Sequence, residues 1–238
     1  MRDRELKDLL QKNIESPDYA AKDAFIRKHA GKARAGKTGL LQMIFMQAGY
    51  IRKRIWALSV LIAVFGFYFT SGLIEEKLYA MAGLMPLMAS LVILEVFRSE
   101  YYAVSELEAV TKFSAKGVIF ARMTLTSAFQ LLITIAMAVI LGMSGDSGFL
   151  VSASMLLVPW FITSIISLIV ERSEFGRSNR YSFAGVAICV TCVHTALSTN
   201  GFFERLDMRY MIAAAALLLI VNVFEVRKTI ETETLVWN

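Results

Sequence analysis

Apolar residues gather into six blocks, roughly 55–73, 78–97, 118–143, 149–170, 183–199 and 210–224, separated by short polar segments. Each is close to the run of about 20 residues that carries a helix across some 30 Å of hydrocarbon. Lipid offers no partner to backbone N–H and C=O groups, so a block at membrane depth has to be helical. Five blocks have no charged side chain at their centres. The exception, Glu95, lies near the end of the second block and is expected to reach the interface. The pattern predicts an all-α polytopic membrane protein with six transmembrane helices.

Two stretches outside the blocks carry their own periodicity. Leu40, Leu41, Ile44, Phe45, Ala48, Ile51 and Ile55 recur near helical spacing, with Gln42, Gln47, Arg52, Lys53 and Arg54 around them. Residues 40–54 therefore read as an amphipathic helix along the inner interface that leads directly into the first span. It serves either as an anchor or as a connector that carries motion into that span. Between the second and third blocks, residues 98–116 form a long polar stretch in which Val104, Leu107, Val110 and Phe113 recur every three residues. On a helix they make a narrow apolar stripe. Ser105 and Glu108 have capping-box spacing, Glu108 and Lys112 are four residues apart, and Ser114 is placed to cap the next helix. Such a stripe on a charged segment fits a protein partner; a plain connecting loop fits the same spacing.

Composition supports the membrane assignment. Of 238 residues, 56% are hydrophobic and 19% charged, with a mean hydropathy of +0.56, whereas a soluble domain carries about 25% charged residues. Six spans with both termini in the cytoplasm put 22 of the 25 Lys and Arg residues inside, leaving Lys77, Arg205 and Arg209 outside, as the positive-inside rule requires. The net charge of +5 then describes an inner face set against anionic lipid, with no nucleic-acid partner implied. The first fifty residues are polar and basic and lack the early apolar core of a cleavable signal. The expected organisation is a cytoplasmic basic arm and linker over 1–39, a connecting helix over 40–54, a six-span domain over 55–225, and a cytoplasmic tail over 226–238.

Residues 31–38, Gly-Lys-Ala-Arg-Ala-Gly-Lys-Thr, match a phosphate-loop spacing. A phosphate loop also needs a buried strand before it and an acidic partner for Mg²⁺, and neither is present in the sequence around it. A basic linker against lipid is the preferred assignment. The first two spans are expected to turn at Ile74-Glu-Glu-Lys77, and the third and fourth over 142–148. Met81, Met85 and Met88 share a helix face and suit core packing; Cys189, Cys192 and His194 fall in the fifth block, the cysteines expected as buried structural residues and His194 as a hydrogen-bonded core histidine. That block is short and rich in Thr, Ser and Cys, so burial inside a bundle or a partly re-entrant course is expected. Residues 171–180 form a second polar segment, either a contact surface or a solvated turn. No metalloprotease or nucleophile-elbow motif occurs, and no block places ionisable groups at its centre as ion-coupled carriers do. An enzyme is not expected, nor a cofactor or metal in this chain, and energy has to come from a separate motor.

Three stretches resemble the membrane (permease) subunits of bacterial ABC type-2 exporters. Residues 47–56, Gln-Ala-Gly-Tyr-Ile-Arg-Lys-Arg-Ile-Trp, resemble the amphipathic approach to the first span of one branch of that family. Residues 105–114, Ser-Glu-Leu-Glu-Ala-Val-Thr-Lys-Phe-Ser, resemble its coupling segment, and the ending Thr-Leu-Val-Trp-Asn over 234–238 resembles its usual ending. The resemblance implies a subunit of the bacterial inner membrane that pairs with a second membrane subunit, identical or related, and with cytoplasmic ATPase subunits that hold ATP and Mg²⁺. By the same likeness, Glu106, Leu107 and Glu108, flanked by Val104 and Val110, would dock on the ATPase, and Ile44, Gln47, Ile51, Arg52 and Trp56 would belong to the connecting helix. The competing assignment is a membrane-embedded sensor or regulator that recruits a cytoplasmic signalling partner without transport.

Overall fold

A computed structural model describes residues 40–69, 74–97, 115–144, 148–173, 176, 179 and 181–232. Among them are eight helices and no strand: α1 (Leu40–Ala48), α2 (Lys53–Phe69), α3 (Ile74–Val96), α4 (Ala115–Ser144), α5 (Gly148–Glu171), α6 (Ser182–Thr199), α7 (Phe202–Arg205) and α8 (Met208–Thr232). Helices α3, α4, α5, α6 and α8 are each long and apolar enough to cross a membrane, which makes this a multi-pass membrane protein. Helix α2 has 17 residues, roughly 25 Å at about 1.5 Å per residue.

The bundle is organised on α3 and α5, which pack most extensively on each other. Helix α2 adds to α3, α6 lies against α3 and α5, α8 lies against α5, and α1 packs on α4. Lipid tails are as apolar as leucine, so close packing and hydrogen bonding drive helix association here. The expected methionine face is present: Met81, Met85 and Met88 are all fully buried, beside Ile93, Val96 and Phe97. Helix α5 contributes the small residues Ser152, Ser154, Thr163, Ser164 and Ser167 to its buried face, which lets neighbouring backbones approach it. Helix α8 offers a single seam, Met211, Ala215, Leu218, Asn222, Val226 and Thr229, at helical spacing, while Leu217, Ile220, Val223 and Phe224 on its other faces are exposed.

Several expectations are corrected. The amphipathic helix over 40–54 stops at Ala48; Tyr50 and Ile51 donate their N–H groups back to the Gln47 carbonyl, and a new helix starts at Lys53. Residues 74–77 are no turn. They are the first turn of α3. The α4–α5 turn is shorter than 142–148 because α4 runs to Ser144. It closes at Gly148, whose φ of 72° few other residues tolerate, and a Cβ on Gly142 would lie 2.8 Å from the Phe149 Cα. The fifth block is a continuous helix, α6, with 17% of its span buried, so within this chain it packs at the edge of the bundle and not inside it. Cys189 and Cys192 are free and exposed on it. Glu95 is 2% exposed and does not reach the surface.

Candidate functional site

The segment 98–114 lies outside the described residues, and with it Val104, Glu106, Leu107, Glu108 and Val110. So do the phosphate-loop match and the chain ending over 234–238. The two helices that the segment joins are described up to its edges: α3 ends at Val96 and α4 begins at Ala115. What holds those two ends defines the site.

The break between α1 and α2 turns the chain so that its polar groups meet both ends. Gln47 is 6% exposed, and its Oε1 accepts a hydrogen bond of 3.3 Å from Nε of Arg122, in the second turn of α4 and itself 4% exposed. Five residues on, the backbone N–H of Arg52 donates to Oε1 of Glu95 at 3.3 Å, in the last turn of α3. Ile51 is buried between these contacts in sequence. Trp56, in the first turn of α2, meets the Phe129 ring of α4 edge-on at 4.4 Å. Ile44 on α1 is half-buried. Thus Gln47, Arg52 and Trp56, three of the residues expected in a connecting helix, each contact a helix that flanks 98–114. They do so from a turn and two separate helices. A hydrogen bond to a charged group is among the stronger ones in proteins.

The same end of the bundle holds a second tie. Glu171, the last residue of α5, is fully buried, and Arg172 next to it forms an ion pair with Glu225 of α8. Thr229 donates to the Glu225 carbonyl at 2.9 Å. Arg172 thus fastens α5 to α8 and is not a free contact surface.

At mid-depth the polar chemistry is neutral. Gln130, at the centre of α4 and 1% exposed, donates from Nε2 to the Met88 carbonyl of α3 at 2.7 Å and to Oγ of Ser59 on α2 at 3.3 Å. Its Oε1 accepts from Nε1 of Trp160 on α5 at 3.0 Å. One amide joins four helices with donors and acceptor all engaged. Thr126, Thr134 and Thr163 return their hydroxyls to carbonyls three or four residues back in their own helices, which satisfies them without a partner helix.

The far half contains a hollow of about 470 Å³, bounded by α5, α6, α7 and α8. His194 lines it; the His194 ring stacks on Phe203 at 4.9 Å, and Phe203 stacks on Tyr79 of α3 at 5.9 Å. His194 is 7% exposed, and its Nδ1 has no hydrogen-bond partner, in contrast to the hydrogen-bonded histidine expected. No group of three or more His, Cys, Asp or Glu side chains placed to hold a metal ion exists among the described residues.

Gln130, Arg122 and Glu225 were not singled out from the sequence as members of a site. For Gln130 the signal is present as a polar residue inside an apolar run, Phe-Gln-Leu over 129–131. No family model matches the chain, and comparison with curated proteins and with solved structures gives no significant match.

Proposed function

We propose that this chain is the membrane subunit of an ATP-driven exporter, with six spans and cytoplasmic termini, in which residues 98–114 take up force from a separate cytoplasmic ATPase. One observation supports it above the others. The helix ends on either side of 98–114 are fastened to the α1–α2 junction by Glu95 with the Arg52 N–H and by Arg122 with Gln47. A push on the segment would therefore move α3, α4 and the start of α2 together. The bundle behind them is coupled as a body through Gln130, so a displacement at one end would be transmitted as helix tilt and not absorbed by loose loops. The shift it produces is limited by the differential contact energy of the two states.

In this proposal α2 is the first of six spans, crossing with residues 53–69 and those just beyond. A second membrane subunit, identical or related, completes the pathway, ATP and Mg²⁺ bind the partner ATPase, and the bacterial inner membrane is the location. Glu106, Leu107 and Glu108 dock on the ATPase, Leu107 with Val104 and Val110 as the apolar anchor and the two carboxylates setting register.

Leu107→Asp tests the docking. The variant is expected to insert in the membrane at wild-type levels and to lose co-purification with the ATPase, because a carboxylate replaces the buried anchor. Undiminished complex formation would refute the docking role. A signalling protein recovered in place of an ATPase would favour the sensor assignment.

A further inference from the structure

Helices α3 and α5, which pack most extensively on each other, are also the two interrupted by proline. Pro86 lies inside α3 and Pro159 inside α5, both buried; the only other proline in the chain is Pro17. Proline has no N–H to donate, so the carbonyls of Ala82 and Met155 lose their helical donor and the helix is weakened there. Each proline is followed four residues later by a hydroxyl that turns back on its own helix. Ser90 Oγ donates to the Leu87 carbonyl at 2.8 Å, and Thr163 Oγ1 donates to the Pro159 carbonyl at 2.8 Å. Back-bonding of this kind bends helices, and proline is the commonest cause of a sharp kink. Helix α4, with 30 residues, contains no proline.

The two weakened points share one level. Gln130 donates to the Met88 carbonyl and accepts from Trp160, so one amide joins the two helices just after their prolines: Pro86 is two residues before Met88, and Pro159 directly precedes Trp160. The helices also run in the same direction. Helix α3 ends and α4 starts at the α1–α2 junction, and α5 returns from the other end of α4 after a short turn. On either side of this level the bundle has its own fastenings. Towards the junction, Glu95 accepts from the Arg52 N–H and Arg172 pairs with Glu225. In the far half, Phe203 is stacked between Tyr79 of α3 and His194 of α6.

We infer that Pro86 and Pro159 form a single hinge plane across α3 and α5, about which their junction-side halves tilt together against the far half, with Gln130 as the pivot. Hinges of this kind join bodies that each keep their own packing. The part of α5 beyond Pro159 is about 18 Å long, and a tilt of about 20° moves its end by about 6 Å. The hinge needs no ATPase, so it stands or falls separately from the coupling role.

Spin labels read the tilt. The full chain carrying Cys189→Ser and Cys192→Ser, which removes two exposed thiols, is labelled in phosphatidylcholine vesicles at Leu132→Cys together with either Ile169→Cys or Leu150→Cys. All three positions are exposed. Leu132 is two residues from Gln130, and Ile169 and Leu150 lie nine residues after and ten before Trp160, so the two pairs sample the two halves of α5 from one reference. Pulsed dipolar spectroscopy should give a 132–169 distance distribution wider than the 132–150 distribution by about 5 Å. Pro159→Ala restores the missing donor and should narrow the 132–169 distribution to the width of the other pair. Pro86→Ala, on the neighbouring helix, should narrow it too, which a bend of α5 alone does not predict. Equal widths for the two pairs with both prolines in place overturn the hinge, whether or not the alanine variants fold. A wide distribution unchanged by Pro159→Ala means fraying of the helix end, and one unchanged by Pro86→Ala means two independent bends. Either result overturns the shared plane.

Discussion

Two polar nodes hold this bundle, and they differ in charge and in what they join. The mid-depth node is a single neutral amide, Gln130, hydrogen-bonded to α2, α3 and α5. The other node, at the end where α3 stops and α4 starts, uses Glu95, Arg122 and the Arg172–Glu225 pair. An ionised group at the bilayer centre costs about 2.5–3.5 kcal/mol on the insertion scale and less towards the interface. Neutral chemistry therefore fixes the body of the bundle, and charged chemistry is kept at the end where α3 stops and α4 starts. The contrast separates a node that sets shape from one that sits at an expected point of force.

The largest effect should come from breaking the first node. Gln130→Leu leaves Trp160 Nε1–H without its acceptor and Ser59 without its donor inside the bundle. Stranding one buried polar group costs about 1–3 kcal/mol. The unfolding midpoint of the purified protein in detergent should fall clearly, with exchange rising in α2, α3, α4 and α5 together. Next is Gln47→Leu, which takes one acceptor from the buried Arg122 guanidinium. It should cost less than Gln130→Leu, since water is nearer at the bundle end. Amide exchange should rise chiefly over residues 44–56 and at the start of α4, the signature of local opening. Trp160→Phe keeps the ring but deletes the donor to Gln130, for about 1 kcal/mol. Smallest is Ser59→Ala, near the average of about 0.6 kcal/mol for a hydrogen bond between membrane helices. If Gln47→Leu destabilised the whole bundle as much as Gln130→Leu, the two nodes would not be distinct.

The positions of the helices were legible because hydropathy responds to the same quantity as lipid does. The ends of α4, α5 and α6 fall within a few residues of the apolar blocks, and Met81, Met85 and Met88 could be placed in the core from their shared helix face. Which helices form the hub was not legible. Helices α3 and α8 have the same mean span hydropathy, 1.8, yet 67% of one and 11% of the other is buried, because lipid and protein interior are equally apolar. The same equivalence misplaced Cys189 and Cys192: small residues on a membrane helix serve a lipid face as well as a core. Glu95 was placed at the interface by its distance from the block centre. One partner it has inside, the Arg52 N–H, is 43 residues away and follows the break in the chain after Ala48. The helical spacing of apolar residues continues through Ile51 and Ile55 and hides that break, which is marked only by Gly49 directly after Ala48 and by the basic run Arg52-Lys53-Arg54.

The contact expected between Leu107 and an ATP-hydrolysing partner is the most direct thing to measure. A photo-reactive amino acid placed at Leu107 in the full-length chain, activated in native membranes, should give an adduct with a soluble subunit whose peptides carry nucleotide-binding motifs, and the same probe at Tyr210 should give none. An adduct with lipid alone at Leu107, or none with any protein at wild-type expression, would contradict the coupling role.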